Sequence, residues 1–289
     1  MRIHARLVLA AGLVLVCVGH AAAQSDTIVV GALPQPGQSQ RLQTTQTMQM
    51  KMLPEGEGPP GFPAEGLRIE QTTVTVMRQD IGLVDNDGRV RHDITYESMT
   101  QTSTMNGKEV PIPSDRIAMF DGKVFTMWID RNNDVVDVVV PEGVPLTAEQ
   151  AKQMMGSLLA AVPRQAIRVG ETVTKPFTMD LPVPGGREAP KMTATTRLTL
   201  TGVDGAGTDR IANFDVAVEG LLKVDAPGTG PAVSIAVGGT GTMRTHLLSG
   251  FVVASTSEQT IEGTVGSPGG KGPAFSMRGT VTIKTTRLE

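Results

Sequence analysis

From Leu42 to Met52 the chain changes character at every residue. Leu42, Thr44, Met48, Met50 and Met52 fall on one side of an extended backbone; Gln43, Thr45, Thr47, Gln49 and Lys51 fall on the other. A repeat of two is the period of a half-buried β-strand. The pattern recurs along the chain. Val90, His92, Ile94 and Tyr96 alternate with Arg91, Asp93, Thr95 and Glu97. Near the end, Phe275, Met277, Val281 and Ile283 alternate with Ser276, Arg278, Thr280, Thr282 and Lys284. Turn-forming clusters punctuate these segments: Asp85-Asn86-Asp87-Gly88, Phe120-Asp121-Gly122-Lys123, Asp130 to Asp134, Asp204 to Gly207, and Ser249-Gly250. Such clusters reverse the chain tightly, so the strands they join run antiparallel. Residues 55–66 form a Gly/Pro loop with no capacity for regular structure.

One segment breaks the period. Thr147 is an N-cap candidate with Gln150 three residues on, the spacing of a capping box. Ala151, Met154, Met155, Leu158, Leu159 and Val162 then form a stripe at helical spacing, and Pro163 stops it. The expected fold is therefore mainly β: a large curved antiparallel sheet, either an open half-barrel or a sandwich. One amphipathic helix over about 148–161 packs on its apolar face. The helix separates two strand-rich halves, 41–140 and 170–289, within a single domain spanning 41–289.

The N-terminus reads as a secretory signal. Arg2, His4 and Arg6 precede an apolar run from Leu7 to Gly19, and Ala21-Ala22-Ala23 supplies small residues for cleavage after Ala23. The run is shorter than the about 20 apolar residues a spanning helix needs. Cys17, the single cysteine, lies inside the signal; Val14 and Val16 stand where a lipid-attachment site would have Leu and a small residue. The mature chain is then thiol-free, without disulfides or Cys-based metal sites. These features predict an exported protein of the periplasm or extracellular space of a Gram-negative-type bacterium. It would have no integral membrane span after cleavage. Residues 24–40 read as a flexible leader.

Composition narrows the function. Without Arg2 and Arg6 the chain has 24 basic against 29 acidic residues, a balance with no electrostatic footprint for nucleic acid. Aromatic residues make up 3 %, with one Trp and one Tyr. That disfavours base-stacking platforms and the aromatic girdles of a membrane barrel.

Candidate sites are few. The Met48-x-Met50-x-Met52 run puts three thioethers on one strand face, a set suited to Cu(I), but with no His or Cys nearby to finish a site it reads first as the core face of an amphipathic strand, where Met fills irregular gaps. Asp130, Asn132 and Asp134 open like a calcium loop, but Val135 and Pro141 stand where Gly and Glu are diagnostic. His92 and His246 have neither a G-x-S-x-G elbow nor an H-E-x-x-H motif around them, and they read as structural. Gly238-Gly239-Thr240-Gly241 lacks a following Lys-Ser/Thr and reads as a bend between strands. No catalytic residue, metal site or cofactor is expected.

The stretch Val162-Pro163, Ile167, Val169-Gly170-Glu171-Thr172, together with the preceding helix, the Met/Thr-rich opening strand and the glycines at Gly239, Gly241 and Gly250, resembles a family of uncharacterised bacterial envelope proteins. Val173 stands where that family has Trp. The resemblance implies an exported protein with a half-barrel like that of periplasmic lipoprotein carriers, and it brings no catalytic residues with it. The leading expectation is a non-catalytic binder of an acyl chain or other apolar ligand, held between sheet and helix and lined by Met48, Met50, Met52, Met154 and Leu158. The alternative is a structural or partner-binding envelope module whose helix and sheet close without a cavity. A hydrolase with an unfamiliar site is the remaining reading.

Overall fold

A computed structural model describes residues 27–56, 58, 61–158, 162, 164–180, 191–224, 232–266 and 274–289. The signal expected over 1–23 lies outside them. The chain opens with β1 (Ile28–Val30), β2 (Ser39–Glu55), β3 (Leu67–Val84), β4 (Val90–Met105), β5 (Lys108–Glu109) and a one-turn helix α1 (Ser114–Ala118). It continues through β6 (Val124–Ile129), β7 (Val135–Val139), helix α2 (Ala148–Leu158), β8 (Gln165–Ile167) and β9 (Thr172–Asp180). Five long strands follow: β10 (Lys191–Asp204), β11 (Ile211–Val224), β12 (Val233–His246), β13 (Val252–Val265) and β14 (Ala274–Leu288).

All but β1 and β8 join one 12-stranded sheet of order β7-β6-β4-β3-β2-β14-β13-β12-β11-β10-β9, with β5 added on β4. Every pairing is antiparallel. The sheet is built of two meanders, β2 to β7 and β9 to β14, which join where β2 pairs with β14, Met48 opposite Val281. The sheet is open, with edges at β7 and β9. Open edges expose unpaired backbone groups, and α2 packs against both of these edge strands.

Alternation assigns the faces as expected. One face, here called inner, carries Leu42, Met48, Met50 and Met52 on β2, and Val90, His92, Ile94 and Tyr96 on β4. The opposite, outer face carries Thr and charge, with ion pairs such as Arg41–Glu97 at 2.8 Å and Arg278–Glu262 at 3.0 Å.

The closed core occupies one end of the strands, the end of the β3–β4 and β12–β13 turns. One buried cluster joins Ile28, Val30, Ile167, Leu198, Phe214 and Met243. Another joins Ile94, Tyr96, Phe125, Met127, Ala151 and Met155. Ile81, Val90 and Phe251 form a third, and Leu33 packs on the second and third. Register shifts gather at this end, at Leu200/Gly202, Arg244/Thr245 and Ile81/Val84. Such bulges bend a sheet around what it encloses.

Two expectations need correcting. Residues 28–30, read as part of a flexible leader, are a docked strand: β1 pairs with β8, Ile28 opposite Ile167, and Val30 is fully buried. The apolar alternation of a three-residue strand is too short to stand out in sequence. The glycines at 238–241 are not a bend between strands. They lie inside β12, in continuous register with β11 and β13. A Cβ on Gly239, Gly241 or Gly263 would run into the backbone of the neighbouring strand. All three point inward, so they let the sheet curve tightly towards its inner face.

Helix α2 begins as its sequence requires. Gln150 N–H donates to Thr147 Oγ1 (3.2 Å), and Thr147 N–H donates to Gln150 Oε1 (2.9 Å). This reciprocal pair satisfies two donors that the first turn otherwise leaves open. Ala151 and Met155 from its stripe are buried in the second cluster, and a fully buried Met contributes about 1.5–3 kcal/mol.

Candidate functional site

The part of the inner face away from the closed core is the candidate site. Its composition follows from strand register. The row containing Met52 runs Leu67 (β3), Met52 (β2), Met277 (β14), Gly263 (β13), Ile235 (β12), Leu222 (β11) and Met192 (β10). The next row inwards runs Met105, Ile69, Met50, Gly279, Ile261, Val237, Gly220 and Ala194. From β4 to β10 neither row contains a polar side chain; beyond Met105 the second row ends on the exposed Lys108 of β5, at the margin of the sheet. Each strand contributes through plain alternation; lateral pairing makes the contributions into a band across eight strands.

Leu222 and Ala194 are buried, whereas Met50, Met52, Ile69, Ile235, Ile261 and Met277 are half-buried and Met105 is exposed. The band therefore keeps solvent-accessible apolar surface. Methionine suits such a surface, because its unbranched, polarizable chain adapts to different shapes. The outer side at the same level carries Lys51, Arg68, Glu262 and Arg278. Apolar inward and charged outward is the reverse of a transmembrane barrel, whose apolar belt faces lipid. Among the described residues no helix is long and apolar enough to cross a membrane.

The residues singled out by sequence separate into two places. Met48, Met50 and Met52 share one face as expected and line the band and its border. Helix α2 packs mainly on the edge strands β7 and β9, and its Ala151 and Met155 belong to the closed core. The side chains of Met154 and Leu158 lie outside the described set, so only the Met run of the expected lining is placed. Two shallow hollows of about 710 and 430 Å³ lie mainly on the outer face, one around Lys51 and Arg278, the other around Arg197 and Thr240. Neither lies between helix and sheet. Met277, Ile69, Ile235 and Met192 complete the band and were not picked out as site residues. Their signal was present in each strand's alternation, but the row they form depends on register.

The other candidates are occupied structurally. His92 is buried, and Gln79 Nε2 donates to its Nδ1 at 2.7 Å; Gln79 Oε1 in turn accepts from Gln40 Nε2 at 2.7 Å. Burial lowers the His92 pKa to about 4, so the ring is neutral at pH 7. His246 closes the β12–β13 turn, its Nδ1 accepting from Ser249 N–H at 3.2 Å with Ser249 Oγ at 3.0 Å. Asp130 Oδ1 accepts from the backbone of Asn132 and Asp134, each at 2.9 Å, and Asp85 Oδ1 likewise accepts from Asp87 and Arg89. These are Asx turns. Among the described residues no three His, Cys, Asp or Glu side chains gather as a metal-ligand group.

No family model and no curated protein matches the chain. Among solved structures, an outer membrane channel from Pseudomonas putida aligns over 89% of this chain and 98% of its own, at 10% identity and a TM-score of 0.29. So loose a superposition carries no argument about activity.

Proposed function

We propose that this is a non-catalytic, exported envelope protein that holds an acyl chain or other apolar ligand against the open part of its inner sheet face. The observation that carries this reading is the pair of register rows through Met50 and Met52, apolar across every strand from β4 to β10. Extended apolar surface left accessible inside a fold otherwise able to close a core marks a binding surface rather than packing. Export is supported by the signal pattern of residues 1–23. A structural role for both histidines is supported by the hydrogen bonds of their Nδ1 atoms, to Gln79 and to Ser249.

Purified mature protein tests this directly. Solvent extraction and mass spectrometry should recover lipid in stoichiometric amount, or the delipidated protein should take up an apolar fluorescent dye saturably. Met50→Glu should abolish that uptake by placing a charge in the band, while Thr240→Glu on the outer face should not. A clean extract together with no dye uptake by folded wild-type protein would sink the proposal.

A further inference from the structure

Next to the apolar band, the inner face becomes polar without becoming charged. The register row of Met48 and Val281 includes Ser103, Gln71 and Gln259; the row of Ile283 includes Gln101, Thr73, Gln46 and Ser257. Gln46 is exposed, so this level of the inner face is not packed shut. The side-chain amides of Gln46, Gln101 and Gln259 have no hydrogen-bond partner among the described residues. Each amide offers two donor hydrogens and two acceptor lone pairs. The charged member of these two rows is Lys175 on β9. It is engaged at the sheet edge, by Asp134 Oδ1 at 2.9 Å and the Asn133 carbonyl at 3.3 Å. Outward-facing neighbours at the same level include Glu258, Lys284 and Arg197. Charge is therefore sorted to the outside and to the margins of the inner face, where Lys175 stands on β9 and Lys108 on β5.

We infer that the ligand is a neutral amphiphile, its hydrocarbon on the Met50/Met52 band and an uncharged hydroxyl-, amide- or sugar-type head group on the glutamine belt. This rests on the binding role proposed above and adds the head-group chemistry. Free amides can both donate to and accept from such a head group. A carboxylate, phosphate or ammonium moved onto the belt would lose hydration and meet no opposite charge.

The test is a set of amphiphiles with one twelve-carbon chain: dodecanoylglycerol, dodecanoate, dodecyl phosphate and dodecyltrimethylammonium. Each is titrated into delipidated full-length mature protein below its aggregation concentration, with affinity read by dye displacement. The glycerol ester should bind at least about tenfold tighter than any charged member. In Gln46→Leu/Gln259→Leu that gap should shrink while hydrocarbon binding persists; if the variant does not fold, the wild-type ranking decides alone. Equal affinities, or preference for a charged head, would overturn the head-group assignment and leave the apolar site standing. Binding of none of the four would overturn both.

Discussion

Lys175 on β9 and Asp134, in the turn between β6 and β7, form an ion pair of 2.9 Å between the two edges of the open sheet. Asn133 beside it reinforces the junction from a left-handed backbone conformation (φ 65°), its Nδ2 donating to Gly31 O at 3.0 Å and to Val162 O at 2.8 Å. One turn thus ties together the β6–β7 hairpin, β9, the segment after β1 and the chain after α2.

These contacts should differ in weight. Asn133 is buried and Asp134 exposed, so Asn133→Ala should cost about 2–3 kcal/mol by orphaning buried carbonyls and straining φ. Asn133→Gly keeps the conformation available and should cost less. Lys175→Met should cost under about 1 kcal/mol, because its partner is solvated. Denaturant unfolding of the three variants measures the order, and a Lys175→Met loss exceeding that of Asn133→Ala would contradict it.

Two glycines of β12 should respond differently to the same change. In Gly241→Ala the added methyl runs into Thr256 O and the Ser257 backbone, and overpacking of this kind costs about 1–3 kcal/mol. In Gly238→Ala the methyl meets nothing nearer than Thr260 Oγ1 at 3.9 Å, and stability should stay within about 0.5 kcal/mol. Thermal unfolding of both variants is the check; equal melting points would mean the inner curvature at Gly241 is not constrained.

Acid should weaken the fold partly through His92. Its pKa is about 4 in the fold, against about 6.5 unfolded. Between those values the unfolded chain binds a proton that the native ring refuses, so stability falls as pH drops through the window. The full effect is about 3 kcal/mol at most. His92→Gln should show a shallower loss of stability between pH 6.5 and 4. An unchanged pH slope would mean that His92 is hydrated in the fold.

Much of this was legible one strand at a time. The face of each residue from Leu42 to Met52 and from Phe275 to Ile283, the turns at Asp85–Gly88 and Asp130–Asp134, and the Thr147/Gln150 cap all follow from local rules. Each depends on residues within a few positions of one another. The docking of Ile28 and Val30 was not legible, because it depends on Ile167 and Phe214, far along the chain.

The amino-acid sequence by itself determined that strands would alternate oily and polar faces and that one helix would start at Thr147. Only the tertiary structure decided that β2 pairs with β14, which brings Met52 beside Met277 and Met50 beside Gly279. The physical reason is that alternation sets which way a side chain points, whereas register between distant strands sets what lies next to it. A band of apolar rows and a belt of free glutamines exist only at that second level.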